Sequence, residues 1–132
     1  MYNHVLIPVA PDHIGAYGQA MAVTRKLLGS GGKISVLTVL EEVPAYVALP
    51  SDLVEKNIAA VSSELKAEFE ADDTRTHVIT GHSANSILDW AEKHDVDCII
   101  LSSHRPGLSE YFIGSTAARV VRHATCSVHV LR

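Results

Sequence analysis

The sequence predicts an α/β fold, a three-layer sandwich in which four helices cover the two faces of a five-stranded parallel sheet. Three observations predict it. Val5-Leu6-Ile7 and Cys98-Ile99-Ile100-Leu101 are short runs without a charged residue, as expected of strands buried on both faces in a parallel sheet. Such runs alternate with longer stretches whose apolar residues recur at helical spacing, the pattern of βαβ units. At 132 residues, 47% hydrophobic and 20% charged, the chain can bury one core without disulfides or metal, and it is read as a single domain over 1–132.

The elements follow in order. His4 to Val9 reads as the first strand, with Pro8 near its end where no ladder donor is needed. A helix is expected from about Gly15 to Leu28, carrying Ala20, Val23, Leu27 and Leu28 on one face and stopped by Gly29-Ser30-Gly31-Gly32. Lys33 to Leu40 reads as the second strand. It opens into Glu41 to Pro50, an irregular connection long enough to be a lid or an interface element. Ser51 or Asp52 is placed to cap the next helix, with Glu55 set for a capping box, and Leu53, Ile58, Val61, Leu65 and Phe69 form its stripe. Thr76 to Thr80 reads as the third strand and ends at Gly81-His82-Ser83. Ile87, Leu88, Trp90 and Ala91 give the third helix its buried face, and Asp95-Val96-Asp97 turns into the fourth strand, Cys98 to Leu101. A fourth helix from Ser115 to His123 presents Ala118, Val120 and Val121, and Cys126 to Leu131 is the fifth strand.

Composition excludes several function classes. A formal net charge of -4, with no basic patch or RNA-binding motif, argues against a nucleic-acid partner. Nothing approaches membrane-spanning length and no export leader precedes the first strand, so no membrane association is expected. Cys98 and Cys126 lie in apolar strand contexts and form no CxxC pair, which reads as core packing in a reducing, cytoplasmic compartment. Eight histidines form no HExxH or short His-Cys cluster, so no metal site built from protein ligands alone is expected. Walker A, GxGxxG and GxSxG motifs are all absent, and no catalytic residue is assigned.

Open parallel sheets bind ligands beyond the carboxyl ends of their strands, which directs attention to Pro8 to Gly15, Val39 to Pro50, and Ser102 to Ser115. The last of these combines a cation, Arg105, and glycines with Gly114-Ser115 at a helix start, where free amides and the helix dipole favour an anion. Ser115 is equally an N-cap, and an isolated loop arginine such as Arg105 is more often simply solvated. Asp12 can hold a magnesium ion or a ribose hydroxyl, or can simply serve the turn. Val39 can offer its backbone to an adenine edge while its side chain packs on the ring, and the same position suits a buried strand residue.

Over essentially its full length the chain resembles the universal stress protein family. The resemblance rests on Val5-Leu6-Ile7-Pro8-Val9, Gly81, Ile87-Leu88-Asp89-Trp90-Ala91 and Asp97-Cys98-Ile99-Ile100-Leu101. Its sharpest part is Ser102-Ser103-His104-Arg105-Pro106 followed by Tyr111-Phe112-Ile113-Gly114-Ser115-Thr116-Ala117-Ala118-Arg119-Val120-Val121-Arg122-His123-Ala124, which is similar to the F/G-type branch. The resemblance implies a flavodoxin-like, Rossmann-like sheet, a homodimer through the final strand, and in many members bound ATP. It also implies a phosphate pattern of glycine, two residues, glycine, nine residues, glycine, then serine or threonine. This chain keeps Gly114-Ser115, has Ser102 at the place of the first glycine, and carries Gly107 in a different register. The acidic residue that the family has two positions after the first-strand proline falls on Ala10.

The resulting expectation is a cytoplasmic stress-response protein that binds ATP, or ADP or AMP, with or without Mg2+, as a regulatory homodimer. The candidate ligand set is Pro8, Val9, Ala10, Asp12, Val39, Ser102, Ser103, His104, Arg105, Gly107, Gly114, Ser115 and Thr116. The expected dimer strand is Cys126, Ser127, Val128, His129, Val130 and Leu131. A protein partner of unspecified kind is also expected. Two rival readings are a dimeric interaction module with a decayed nucleotide site, motivated by Ala10 and the glycine spacing, and a slow ATPase or self-phosphorylating protein with Ser115 as acceptor.

Overall fold

The structure, a computed structural model, describes residues 1–42, 44, 46–47, 49–102 and 114–132. Five strands, β1 (Tyr2–Pro8), β2 (Leu28–Glu41), β3 (Thr74–Gly81), β4 (Cys98–Ser102) and β5 (Ser127–Leu131), form one sheet in the order β3-β2-β1-β4-β5. Every pairing is parallel. Four helices connect them: α1 (Gly18–Leu27), preceded by a 3-10 turn at Ile14–Ala16, α2 (Ser51–Phe69), α3 (Ser83–Lys93) and α4 (Ser115–His123).

Alternation along the central strands creates two cores. Val5 and Ile7 of β1, Ile34 and Val36 of β2, and Cys98 and Ile100 of β4 pack with Ala20 of α1 and with Val61, Leu65 and Phe69 of α2. Leu6, Leu37, Val39, Ile99 and Leu101 point to the other face and pack with Ile87, Trp90 and Ala91 of α3 and with Ala117 and Val120 of α4. Successive side chains leave a strand on opposite faces, so a strand covered on both sides must be apolar throughout. That is why the runs in β1 and β4 carry the fold signal. Both cysteines are free; burial pushes the Cys98 thiol up to about 11, as expected of a packing residue.

Several expected details are corrected. The run Gly29-Ser30-Gly31-Gly32 does not merely end a helix; it opens β2, where Leu28 pairs with Tyr2 and Lys33 with His4. The extra residues bulge outward, and Gly31 takes φ +74, a conformation open to glycine at little cost. The first helix is split into the 3-10 turn and α1, and no capping box forms on α2, whose N-cap is Pro50 with no side-chain cap. Leu53, placed in the buried stripe of α2, is 52% exposed because the first turns of the helix lie beyond the apolar core. In α4 the buried face is Ala117 and Val120, while Ala118 and Val121 point outward. Cys126 is half-buried and precedes β5.

The amino end of the sheet is closed by polar contacts. Asp97 accepts hydrogen bonds from the backbone N–H groups of Asn3 (2.8 Å) and His4 (3.0 Å). The buried His4 ring donates from Nδ1 to the His94 carbonyl (2.8 Å), which leaves Nε2 to accept from the Ser35 hydroxyl (2.7 Å) in the neutral form. Burial lowers the His4 pKa and favours that neutral form.

Candidate functional site

The sheet reverses its winding between β1 and β4, and at their carboxyl ends lies a cavity of about 480 Å³. Its position and size are those of a small-molecule site in an open α/β sheet. Leu37 and Val39 of β2, Ile87 of α3, Leu101 of β4 and Ala117 of α4 supply its apolar wall. The loop after β1 forms the opposite side and is fastened at three points. Val9 donates to the Leu37 carbonyl (2.8 Å), the Val9 carbonyl accepts from the buried Thr38 hydroxyl (2.8 Å), and Ala10 N–H donates to the Tyr17 hydroxyl (3.0 Å).

Two helices begin at this edge, and they differ. At α3, the Glu41 carboxylate at the end of β2 accepts from the backbone N–H of Ser83 (3.2 Å) and from its hydroxyl through the same oxygen, Oε1. Gly81, at φ +151, leads into this helix start, and a Cβ there would lie 2.5 Å from the Ser86 hydroxyl. The two bonds to Ser83 hold the Glu41 carboxyl below the usual carboxylate range, so it is ionised at neutral pH and neutralises the positive end of α3. At α4, Gly114 is the N-cap, and no side chain among the described residues caps the first turn. Gly114 and Thr116 line the cavity, so the open helix end faces it. Backbone amides at such an end bind anions.

Of the expected ligand residues, Pro8, Val9, Ala10, Asp12, Val39, Ser102, Gly114 and Thr116 line this one cavity. Ser115 is exposed on the first turn of α4 and is not part of the lining. Ser103, His104, Arg105 and Gly107 lie outside the described residues. Asp12 is an exposed rim residue, 3.6 Å from Nε2 of His13. Among the described residues no group of three or more His, Cys, Asp or Glu side chains is arranged to hold a metal ion, so magnesium would need phosphate oxygens as well as Asp12. Sequence reasoning missed Tyr17, Glu41 and Ser83. The first two carried no motif, and Ser83 was noted only as a strand end.

Fold and cavity together define a Rossmann-like α/β protein with a cavity at the topological switch point, where such folds bind ligands. The model of the universal stress protein family matches residues 1–132, and the chain belongs to that family. Universal stress protein G of Salmonella typhimurium is 26% identical over 145 residues, covering 100% of both chains. The universal stress protein UspA from Lactobacillus plantarum superposes with a TM-score of 0.77 at 23% identity, over 99% of this chain and 98% of that one. A universal stress protein solved in complex with cAMP superposes at a TM-score of 0.64 and 18% identity, covering 99% and 97%. One from Archaeoglobus fulgidus in complex with dAMP does so at 0.54 and 15%, covering 99% and 98%. None of the helices among the described residues is long and apolar enough to cross a membrane.

Proposed function

We propose that this protein binds an adenine nucleotide in the switch-point cavity and acts through that binding as a regulatory stress-response protein of the cytoplasm. The observation that carries the reading is the pairing of an α4 terminus that no side chain among the described residues caps with an apolar wall across one cavity. A nucleotide has the same two-ended chemistry, a flat apolar base and an anionic phosphate. The base packs on Val39 and Ile87, and the phosphates face Gly114 and Thr116. Asp12 on the rim lies toward ribose or a phosphate-bound magnesium ion. Structural relatives with cAMP and dAMP share adenine and differ in sugar and phosphate, which supports an adenine ligand. The two free cysteines support a reducing compartment.

Isothermal titration and thermal melting with ATP, ADP and AMP, with and without magnesium, test this. Ligand at a hundred times its Kd stabilises the fold by about 2.7 kcal/mol. Absence of both heat and a thermal shift at millimolar nucleotide would sink the reading.

A second reading concerns assembly. β5 is the terminal strand, bonded to β4 along one side, with Val128 and Val130 half-buried. Such an edge invites a second strand, and an identical copy across a two-fold axis gives a closed homodimer.

A further inference from the structure

We infer that Glu41 selects the base: its free carboxylate oxygen accepts a hydrogen bond from the 6-amino group of a purine and rejects a 6-oxo purine. The inference rests on the nucleotide reading and names a determinant within that site. Val39 and Glu41 are two residues apart on β2 and so face the same side of the sheet, toward α3. A ring lying on Val39 is therefore one strand repeat from Glu41, within reach of its carboxylate.

Ser83 decides which atom Glu41 offers. The Ser83 backbone N–H is a fixed donor, and it holds Oε1 at 3.2 Å with the hydroxyl on the same atom. Oε2 makes no hydrogen bond among the described residues. It is one acceptor, ionised at neutral pH, on an exposed residue at the edge of the cavity beside the apolar Val39 and Ile87.

Adenine presents a donor at position 6, whereas guanine and hypoxanthine present an acceptor there. A 6-oxo group would meet the carboxylate lone pair to lone pair. Guanine satisfies a carboxylate best through its N1–H and 2-amino donors side by side, which takes both oxygens, and Oε1 is engaged by Ser83. One free acceptor thus matches adenine. Asp12 beside His13, in the loop after β1, and the α4 terminus line the same cavity, and the phosphates are assigned to them rather than to Glu41.

Glu41→Gln gives a test with an inverted outcome. The Ser83 N–H still requires an oxygen, so the amide oxygen stays on Ser83 and the NH2 turns to the base. A donor then replaces an acceptor. Titration calorimetry with ATP and inosine triphosphate (ITP) on the parent and Glu41→Gln reads the ratio of affinities. The parent is expected to prefer ATP by about tenfold, the worth of one charge-assisted hydrogen bond. Glu41→Gln is expected to bring the ratio to parity or reverse it by gaining affinity for ITP. If Glu41→Gln binds neither nucleotide, Glu41→Ala is read instead and is expected to bind both equally. An ATP preference that is absent in the parent, or unchanged in the variants, overturns the role of Glu41 and leaves nucleotide binding standing. A parent that binds neither nucleotide overturns both.

Discussion

Thr38→Val tests whether the wall of the cavity is held by one buried hydroxyl. Thr38 is fully buried, and its hydroxyl donates to the carbonyl of Val9, itself 3% exposed, at 2.8 Å. Valine has nearly the same shape but no donor. The substitution leaves the Val9 carbonyl without a partner where water does not reach, which costs about 1–3 kcal/mol. We take about 2 kcal/mol as the expected loss. With an m-value near 2 kcal/mol per molar urea, the unfolding midpoint should fall by about 1 M. Thr38→Ser separates the hydroxyl from the methyl: it keeps the bond and loses about one buried methyl group, on the order of 1 kcal/mol. Urea unfolding followed by the fluorescence of Trp90, the single tryptophan, reads both variants. A Thr38→Val midpoint equal to the parent, with Thr38→Ser lowered, would refute the argument, because the carbonyl would then have found another partner.

Leu6→Ala, at a fully buried position between β1 and α3, is expected to cost about 3 kcal/mol and lower Tm by roughly 10 °C; a calorimetric drop under 3 °C contradicts the packing described. Burial lowers the pKa values of His4 and His77, so the folded state holds them neutral while the unfolded chain takes up protons near pH 6.5. Their contribution is therefore complete above about pH 6.5 and is lost as pH falls below it. The urea midpoint should drop between pH 7.5 and 5.5, and less steeply in His77→Gln; parallel slopes in the two proteins would argue against the assignment. If β5 joins two copies, Val128→Glu should yield monomers, and an unchanged dimer mass by light scattering rules that interface out.

How far the sequence could be read depended on the range of the contacts involved. The inner strands β1, β2 and β4 were legible because burial on both faces leaves a local mark, a run of apolar residues. The glycine run 29–32 follows the end of α1 as its local signal predicts, but its place in β2 was not legible, because the pairing of Leu28 with Tyr2 across the sheet draws it in. In α4 the helix was legible but its face was not. Val120 and Val121 are adjacent, and only the packing of Val120 against α3 and the sheet decides between them. The rule that ligands sit at the carboxyl ends of parallel strands points to the loops that carry Pro8, Val39 and Gly114, and these three residues line one cavity. Glu41 escaped because its role depends on Ser83, forty-two positions away, and no local pattern announces such a pair.

The departures of this chain from its family pattern bear unequally on binding and on turnover. Backbone amides at the start of α4 can take a phosphate whatever side chain stands at position 102, since the donors belong to Gly114 and the residues after it. Loss of a glycine from the pattern removes room more than it removes attraction. Ala10 is different, because a carboxylate at that point of the loop would add a metal ligand beside the phosphates, and a methyl group cannot. Phosphoryl transfer draws much of its acceleration from metal and cation charge around the transferring group, while ground-state binding draws on the base contacts and helix amides as well. On the proposed nucleotide reading, losing the carboxylate and keeping the α4 terminus would therefore weaken turnover more than affinity. The same asymmetry fits the proposed function, in which the output is the occupied state itself, and the proposed role of Glu41 would make an adenine ligand the one that occupies it.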